Sequence, residues 1–191
     1  ELVWLLGEAG TTQAAQAMIA RWRGEDVDVA LQSVRADWSA VLDTATVRTP
    51  DRTFDLMLNG WLLYQVLACR VWARSAFYQS SGAYGFRDQL QDTMALILAQ
   101  PALAREHLLR AAGRQFLEGD VQHWWLPQTG RGVRTRVSDD RVWLGYCVAH
   151  YVETTADAGV LDEMVPFLEG PTLQPGETDN FFLPNVGEQS A

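Results

Sequence analysis

The chain has 191 residues, of which 48% are apolar and eight are tryptophan, so it is long enough for a sizeable core and too apolar for a disordered protein. Its formal net charge is −9, and all 15 basic residues are arginine. Because nucleic-acid binding requires a basic face that neutralises phosphates, this balance argues against a nucleic-acid partner.

The first quarter of the chain predicts two helices after an ambiguous start. The apolar run at 1–6 fits a short strand or the start of a helix. Alanine-rich residues 11–22 follow threonines that suit a helix cap, and Gly24 suits the helix end. Residues 26–45 carry apolar side chains at helical spacing, which predicts an amphipathic helix.

The middle of the chain predicts three further helices. Residues 54–77 are apolar nearly all round, which indicates a helix buried on several sides, although interruptions at Gln65 and Arg70 make its most apolar part too short to span a membrane. A loop at 80–85 precedes a helix at 86–100. Pro101 suits the first turn of the next helix, at 101–119.

The last third predicts a polar, aromatic loop at 120–137, a helix at 138–157 capped by Ser138, a short helix at 161–170, and a Pro/Gly-rich loop to the end. Alternation typical of strands is lacking after residue 10. The predicted fold class is therefore all-α, a helical array whose long loops carry function.

Paired acids at Asp139 and Asp140 are the first candidate for chemistry. Acids that follow a capping serine are ordinary at a helix start, and the helix N-terminus favours their ionised form. A general acid must instead be protonated, which requires burial, the neighbouring acid or a bound anion. The pair alone leaves both interpretations open.

Two further groups suit a sugar site. Arg87 and Asp88 are adjacent in GFRD and can bind hydroxyls through charge-assisted hydrogen bonds, or form a surface ion pair at a helix start. His123, Trp124 and Trp125 bring an imidazole and two indoles together, which either stack on a ligand ring or pack inward.

A metal site is not expected, because the three histidines are far apart in the sequence and none belongs to a two-histidine helix motif. The chain also lacks a Gly-rich phosphate loop, a nucleophile elbow and a Cys/His set. We expect no cofactor.

Two long segments, 54–92 and 115–144, and the short PFLEG at 166–170 carry a resemblance that covers residues 54–185 and ends within DNFFLPNVGE. They resemble the glycoside hydrolase family 94 phosphorylases, in particular the C-terminal phosphorylase-like domain of bacterial cyclic β-1,2-glucan synthases. This resemblance implies part of an (α/α)6 barrel after a β-sandwich, and inverting phosphorolysis of β-glucosidic bonds with inorganic phosphate as co-substrate. It assigns 1–50 to linker helices, with the end of the β-sandwich at 1–8, and 51–191 to the first part of a truncated barrel.

The resemblance also assigns roles to residues. Asp139, the first acid of the pair, would be the general acid, and Asp88 with Arg87 would hold the glucosyl unit. The His123–Trp125 segment would lie near the acceptor. Asp140 is included among the candidate substrate-binding residues, although it would act structurally by capping the helix or by pairing with an arginine such as Arg136 or Arg141.

Two positions depart from the disaccharide phosphorylases of that family. Gly82 stands where they tend to carry an arginine, and Val137 where they carry an aromatic residue. Both departures favour a polymeric β-1,2-glucan as the substrate.

The implied partners are a β-glucan, phosphate and the rest of a parent protein, which would face the cytoplasm from the bacterial inner membrane. We expect the fragment alone to be inactive. Two alternatives stay open: an inverting hydrolase on the same barrel, whose second carboxylate activates water, and a glucan-binding helical domain without activity.

Overall fold

The computed structural model describes residues 2–74 and 82–190. The end of the helix predicted at 54–77 and the start of the loop predicted at 80–85 lie outside the described residues. The chain divides into two compact units, Glu1–Val41 and Leu42–Ala191.

The first unit consists of an irregular segment and the helices α1 (Thr12–Arg23) and α2 (Val27–Leu42), the second of which ends at the unit boundary. The Thr11 side chain accepts a hydrogen bond from the Ala14 amide at 3.2 Å, and Gly24 caps the other end of α1, as the sequence predicts. Residues 2–9 form neither the short strand nor the helix start that were considered for them.

The second unit begins with one continuous helical run. It passes through α3 (Arg52–Leu56), a π-helical segment (Met57–Trp61), α4 (Leu62–Gln65) and a second π-helical segment (Val66–Trp72). The Asp51 carboxylate caps its start by accepting from the Thr53 amide at 2.8 Å.

Three helices of the second unit pack against one another: α5 (Phe86–Leu96), α6 (Pro101–Ala112) and α7 (Asp140–Thr155). Pro101 is the first residue of α6, as predicted. The largest apolar side chains that the structure buries completely around these helices and the adjoining sheet are Phe86, Leu90, Leu96, Leu108, Phe116 and Trp125.

The described residues also contain six strands. They are β1 (Tyr84–Gly85), β2 (Gln122–Trp125), β3 (Gly132–Thr135), β4 (Pro166–Glu169), β5 (Asp179–Phe182) and β6 (Asn185–Ser190). Antiparallel pairing joins β1, β2, β3 and β5 into one sheet, and β4 and β6 into another.

The all-α prediction is therefore wrong in part, because the described chain is helix-rich but carries these two sheets. The predicted loop at 120–137 contains β2 and β3, and the predicted C-terminal loop contains β5 and β6. Strands of four residues are too short to show a clear alternation, and their pairing depends on distant segments.

The helix predicted at 161–170 is also wrong. A 3-10 turn occupies Ala158–Asp162, and β4 follows at Pro166–Glu169. Proline has no amide proton and clashes with the preceding helical turn, so Pro166 suits the first position of a strand better than a helix interior. Other helix ends differ by a few residues, and none of the described helices has the length and apolarity needed to cross a membrane.

Candidate active site between two helix starts and a strand

The short strand β1 ties the start of α5 to β2. Tyr84 pairs with Trp125 and Gly85 with Trp124. Gly85 is also the N-cap of α5, so Arg87 and Asp88 lie in the first turn of that helix. The arrangement therefore brings the predicted Arg-Asp pair and the predicted His-Trp-Trp segment to the same edge of the sheet.

The start of α7 reaches the same place through an ion pair. Arg87 Nη1 donates to Asp139 Oδ2 at 2.8 Å, and Arg87 Nε lies 3.7 Å from Asp88 Oδ1. The side chains of Arg87 and Asp139 are 38% and 47% exposed, so both are accessible to a ligand. Three predicted site residues from two helices thus form one charged group.

The ion pair acts on the titration of the candidate proton donor. Hydrogen bonding from Arg87 holds the pKa of Asp139 below its usual range. At neutral pH the Asp139 carboxyl is therefore ionised in this structure. To donate a proton it must first lose the Arg87 contact or gain a negative neighbour.

The second acid, Asp140, points the other way. Its side chain is only 1% exposed, and its Oδ2 lies 2.6 Å from Nδ1 of His123. This hydrogen bond is the main cause that raises the pKa of His123. The other carboxylate oxygen, Oδ1, is buried and has no hydrogen-bond partner among the described residues.

These contacts correct two expectations about the paired acids. Asp140 pairs with His123, and not with Arg136 or Arg141; Arg136 instead donates to the backbone carbonyls of the loop at 173–177. Ser138 does not cap the helix, because Asp139 occupies the N-cap position and its side chain makes no capping bond. α7 thus begins one residue later than a cap at Ser138 would give. The two acids have different neighbours, because Asp139 contacts Arg87 and Asp140 contacts His123.

The two tryptophans lie in strand β2 rather than in a loop. Trp125 is 2% exposed and packs on Tyr84 at a centroid distance of 5.5 Å, so its predicted contact with substrate is wrong and the inward-packing alternative holds. Trp124 is half-buried beside Phe181, also at 5.5 Å between centroids, and keeps part of its ring accessible.

Gly82 adopts a φ of +75°, a left-handed conformation in which a residue with a side chain is strained. Its carbonyl accepts from Arg74 Nε at 2.8 Å. An arginine at position 82 would therefore need a different local backbone. Val137 is half-buried two residues before Asp139.

A buried arginine that the sequence analysis missed supports the site. Arg134 in β3 is 2% exposed; it donates to Asp120 through Nε at 2.7 Å and Nη2 at 2.6 Å, and to Glu118 at 2.9 Å. Its sequence signal was limited to its place in VRTR, which also contains Arg136; Arg136 lies just beyond β3 and is exposed, whereas Arg134 is buried. This network holds β3 four residues before Asp139.

No group of three or more His, Cys, Asp and Glu side chains within 2–74 and 82–190 is arranged to hold a metal ion. The chemistry that the described site offers is that of a carboxylate, a guanidinium and an imidazole. These groups bind hydroxyls and oxyanions and transfer protons.

Comparisons with known proteins agree with this chemistry. The model of the glycosyl hydrolase 94 superfamily, catalytic domain, matches residues 37–178. The cyclic beta-(1,2)-glucan synthase NdvB of Rhizobium meliloti (strain 1021) is 50% identical over 189 residues, which cover 99% of this chain and 7% of the synthase.

Two phosphorylases are more distant. The N,N'-diacetylchitobiose phosphorylase of Vibrio furnissii is 27% identical over 75% of this chain and 22% of its own length. The 1,2-beta-oligoglucan phosphorylase of Listeria innocua serovar 6a is 27% identical over 57% of this chain and 10% of its own length. This chain thus spans less than a quarter of each of these relatives. With the family model matching residues 37–178, the chain belongs to the glycosyl hydrolase 94 superfamily, and the Arg87–Asp139 and His123–Asp140 pairs lie within the segment that matches its catalytic domain.

Proposed function

We propose that this chain contributes to the active site of an inverting phosphorylase that acts on β-1,2-glucan and releases α-glucose 1-phosphate. Its role would be chain-length control in the synthesis of a cyclic glucan. The observation that carries this proposal is the meeting of Arg87, Asp88 and Asp139 at the starts of α5 and α7. The glucan synthase and the oligoglucan phosphorylase among the relatives support the choice of substrate.

The proposed reaction requires only one carboxyl group for proton transfer. An inverting hydrolase needs a second carboxylate to activate water, whereas inorganic phosphate is already a nucleophile. Phosphate attacks the anomeric carbon while Asp139 gives its proton to the departing sugar oxygen. Asp88 and Arg87 hold hydroxyls of the glucosyl unit, and Trp124 lies on the acceptor side.

The ion pair between Arg87 and Asp139 makes substrate binding part of this mechanism. In the structure the hydrogen bond from Arg87 lowers the pKa of Asp139 and so favours the ionised carboxyl. A glucosyl unit that takes over the Arg87 donors removes this effect, and a phosphate anion nearby favours the protonated acid. Asp139 therefore becomes a proton donor only when both substrates are bound.

The surrounding domain and the parent protein are proposed from the same family resemblance. We place the chain in an (α/α)6 barrel whose remaining parts come from the rest of a parent protein. A preceding helical linker at 1–50 and the barrel at 51–191 are the expected boundaries. The fragment alone is expected to be inactive, and the parent is expected to be a membrane-bound protein with this domain facing the cytoplasm.

The test uses the full-length parent protein with β-1,2-gluco-oligosaccharides, with and without inorganic phosphate. We expect α-glucose 1-phosphate only when phosphate is present. Asp139→Asn should lower kcat by about 100- to 10,000-fold, the range of general acid catalysis, without unfolding the protein. The matched control is Asp162→Asn, a change at an exposed acid after α7, which should retain full activity.

Three results would contradict the proposal. Glucose released without phosphate would show a hydrolase, and glucan binding without turnover would show a binding domain. A larger loss of kcat in Asp140→Asn than in Asp139→Asn would reverse the roles of the two acids.

A further inference from the structure

We propose that Asp140 is a positioning residue that fixes the ring of His123, so that Nε2–H of His123 donates a hydrogen bond to a hydroxyl of the bound glucan. This inference rests on the proposed function and deepens it. It removes Asp140 from the set of residues that touch the substrate, and it makes His123 the group through which Asp140 acts.

An irregularity in β2 brings His123 to the helix. Gln122 pairs with Arg134 and Trp124 with Val133, so two residues of β2 stand opposite one residue of β3 at His123. Such a β-bulge interrupts the alternation of the strand and redirects a side chain. It lets Gln122 and Trp125 both be buried, while His123 leaves the regular pattern and reaches the start of α7.

The carboxyl group that pairs with His123 is buried, and it makes fewer hydrogen bonds than expected of a group that only stabilises the fold. Oδ2 of Asp140 has one hydrogen bond, to His123, and the buried Oδ1 has none among the described residues. A buried carboxyl group with one oxygen left without a hydrogen bond costs free energy relative to an apolar side chain. The arrangement therefore indicates a role carried out through the imidazole.

The geometry also determines which edge of the ring is accessible. The two nitrogens lie on opposite sides of the imidazole, so a bond from Nδ1 to the buried carboxylate directs Nε2 away from the interior of α7. The side chain of His123 is 31% exposed, and the charges of Arg87 and Asp88 act on it. Nε2 has no hydrogen-bond partner among the described residues, which leaves it available to a ligand.

The electrostatic surroundings favour a donating ring. From α7, Asp140 raises the pKa of His123; from α5, Asp88 raises it and Arg87 lowers it. A proton on Nδ1 is required by the acceptor Asp140, and a second proton on Nε2 makes both nitrogens donors. Asp139 acts on the reaction separately, because its carboxylate faces Arg87.

The first experiment reads the pair without any turnover. In the full-length parent protein, ¹⁵N NMR of the His123 imidazole should show Nδ1 protonated. The signal is assigned by its disappearance in His123→Gln. Asp140→Asn should lower the pKa of His123 by at least about one unit. The matched control is Asp162→Asn, which removes a negative charge from an exposed position outside the site, and it should leave the His123 titration unchanged. An unchanged titration in Asp140→Asn would overturn the inference.

The second experiment is a double-mutant cycle on the reaction. Asp140→Asn and His123→Gln should each raise KM for the glucan by about 10- to 100-fold, the effect of a lost charge-assisted hydrogen bond, with little change in KM for phosphate. The double variant should match His123→Gln alone, since Asp140 acts through that ring. Penalties that multiply, or a change confined to KM for phosphate, would refute it. If the full-length parent protein shows no phosphorolysis, the proposed function fails, while the NMR result still decides whether Asp140 positions His123.

Discussion

Replacing Arg134 by methionine tests how the fold holds the segment that leads to Asp139. All five N–H groups of this arginine are bonded. Nε and Nη2 contact Asp120, Nη2 also contacts Glu118, and Nη1 contacts the carbonyls of Gly170 and Pro171 at 3.2 and 3.1 Å. The guanidinium carbon also lies 4.0 Å from the centroid of the Phe116 ring.

The size of the effect follows from what the change leaves behind. Asp120 is 12% exposed, and both of its carboxylate oxygens accept from Arg134. Arg134→Met leaves this buried charge without a counter-charge, which should cost about 3–5 kcal/mol of unfolding free energy. Glu118 is half-exposed, so Glu118→Gln should cost only about 0–1 kcal/mol.

Hydrogen exchange in the full-length chain measures the difference locally, on peptides that cover β2 and β3. A loss of 3 kcal/mol corresponds to roughly a 100-fold drop in protection. Arg134→Met combined with Asp120→Leu should be at least about 1 kcal/mol more stable than Arg134→Met alone, because no unpaired charge is then buried. A cost below about 1 kcal/mol for Arg134→Met, or no recovery in the double variant, would refute the reasoning.

Three other changes test the site and its support. Arg87→Gln should shift the alkaline limb of the pH profile of kcat/KM to higher pH. Losing the guanidinium raises the pKa of Asp139, so its carboxyl stays protonated over a wider pH range. An alkaline limb that does not move would argue against Asp139 as the proton donor. Gly132→Ala should lower the melting temperature, since the added carbon would collide with the backbone of β2, whereas Gly145→Ala in α7 meets open space and should leave the melting temperature unchanged or raise it. Burial lowers the pKa of His107 to about 4, so the free energy of unfolding should fall by about 3 kcal/mol as the pH falls from about 6.5 toward 4. Urea denaturation of His107→Gln at several pH values should show a weaker dependence of stability on pH. An unchanged dependence would contradict this prediction.

The main helices could be predicted from local signals. Apolar spacing indicated the amphipathic α2, and Gly24 and Pro101 marked a helix end and a helix start where the structure has them. These signals act within one or two turns of the chain, so a sequence pattern contains them. The end of α6 was predicted too late, because the helix stops before Gly113 while the prediction extended it to Gly119.

The strands depended on partners that a local pattern does not contain. Thr135 pairs with Asp179 and Tyr84 pairs with Trp125, across 44 and 41 residues. Each strand gains its stability from this pairing and from packing, and its own residues show little preference. For that reason the sequence pattern predicted a loop at 120–137, where the structure has β2 and β3.

The candidate site was predictable as a set of residues but not as an arrangement. The resemblance named Arg87, Asp88 and Asp139, and the structure brings these three together. The pairing of Asp140 with His123 depends on the bulge in β2 and on a helix that starts one residue later than a cap at Ser138 would give. Neither feature can be predicted from the composition or the spacing of residues in the sequence.

The irregular pairing at His123 has a consequence for anyone who transplants this site to another scaffold. A host hairpin of ideal geometry would keep every side chain that the sequence names, yet it would turn the imidazole to the opposite side of the sheet. The graft would then contain both acids and the arginine but lose the contact with the second acid. A successful transplant has to copy one surplus backbone residue, which a comparison of catalytic side chains alone would overlook.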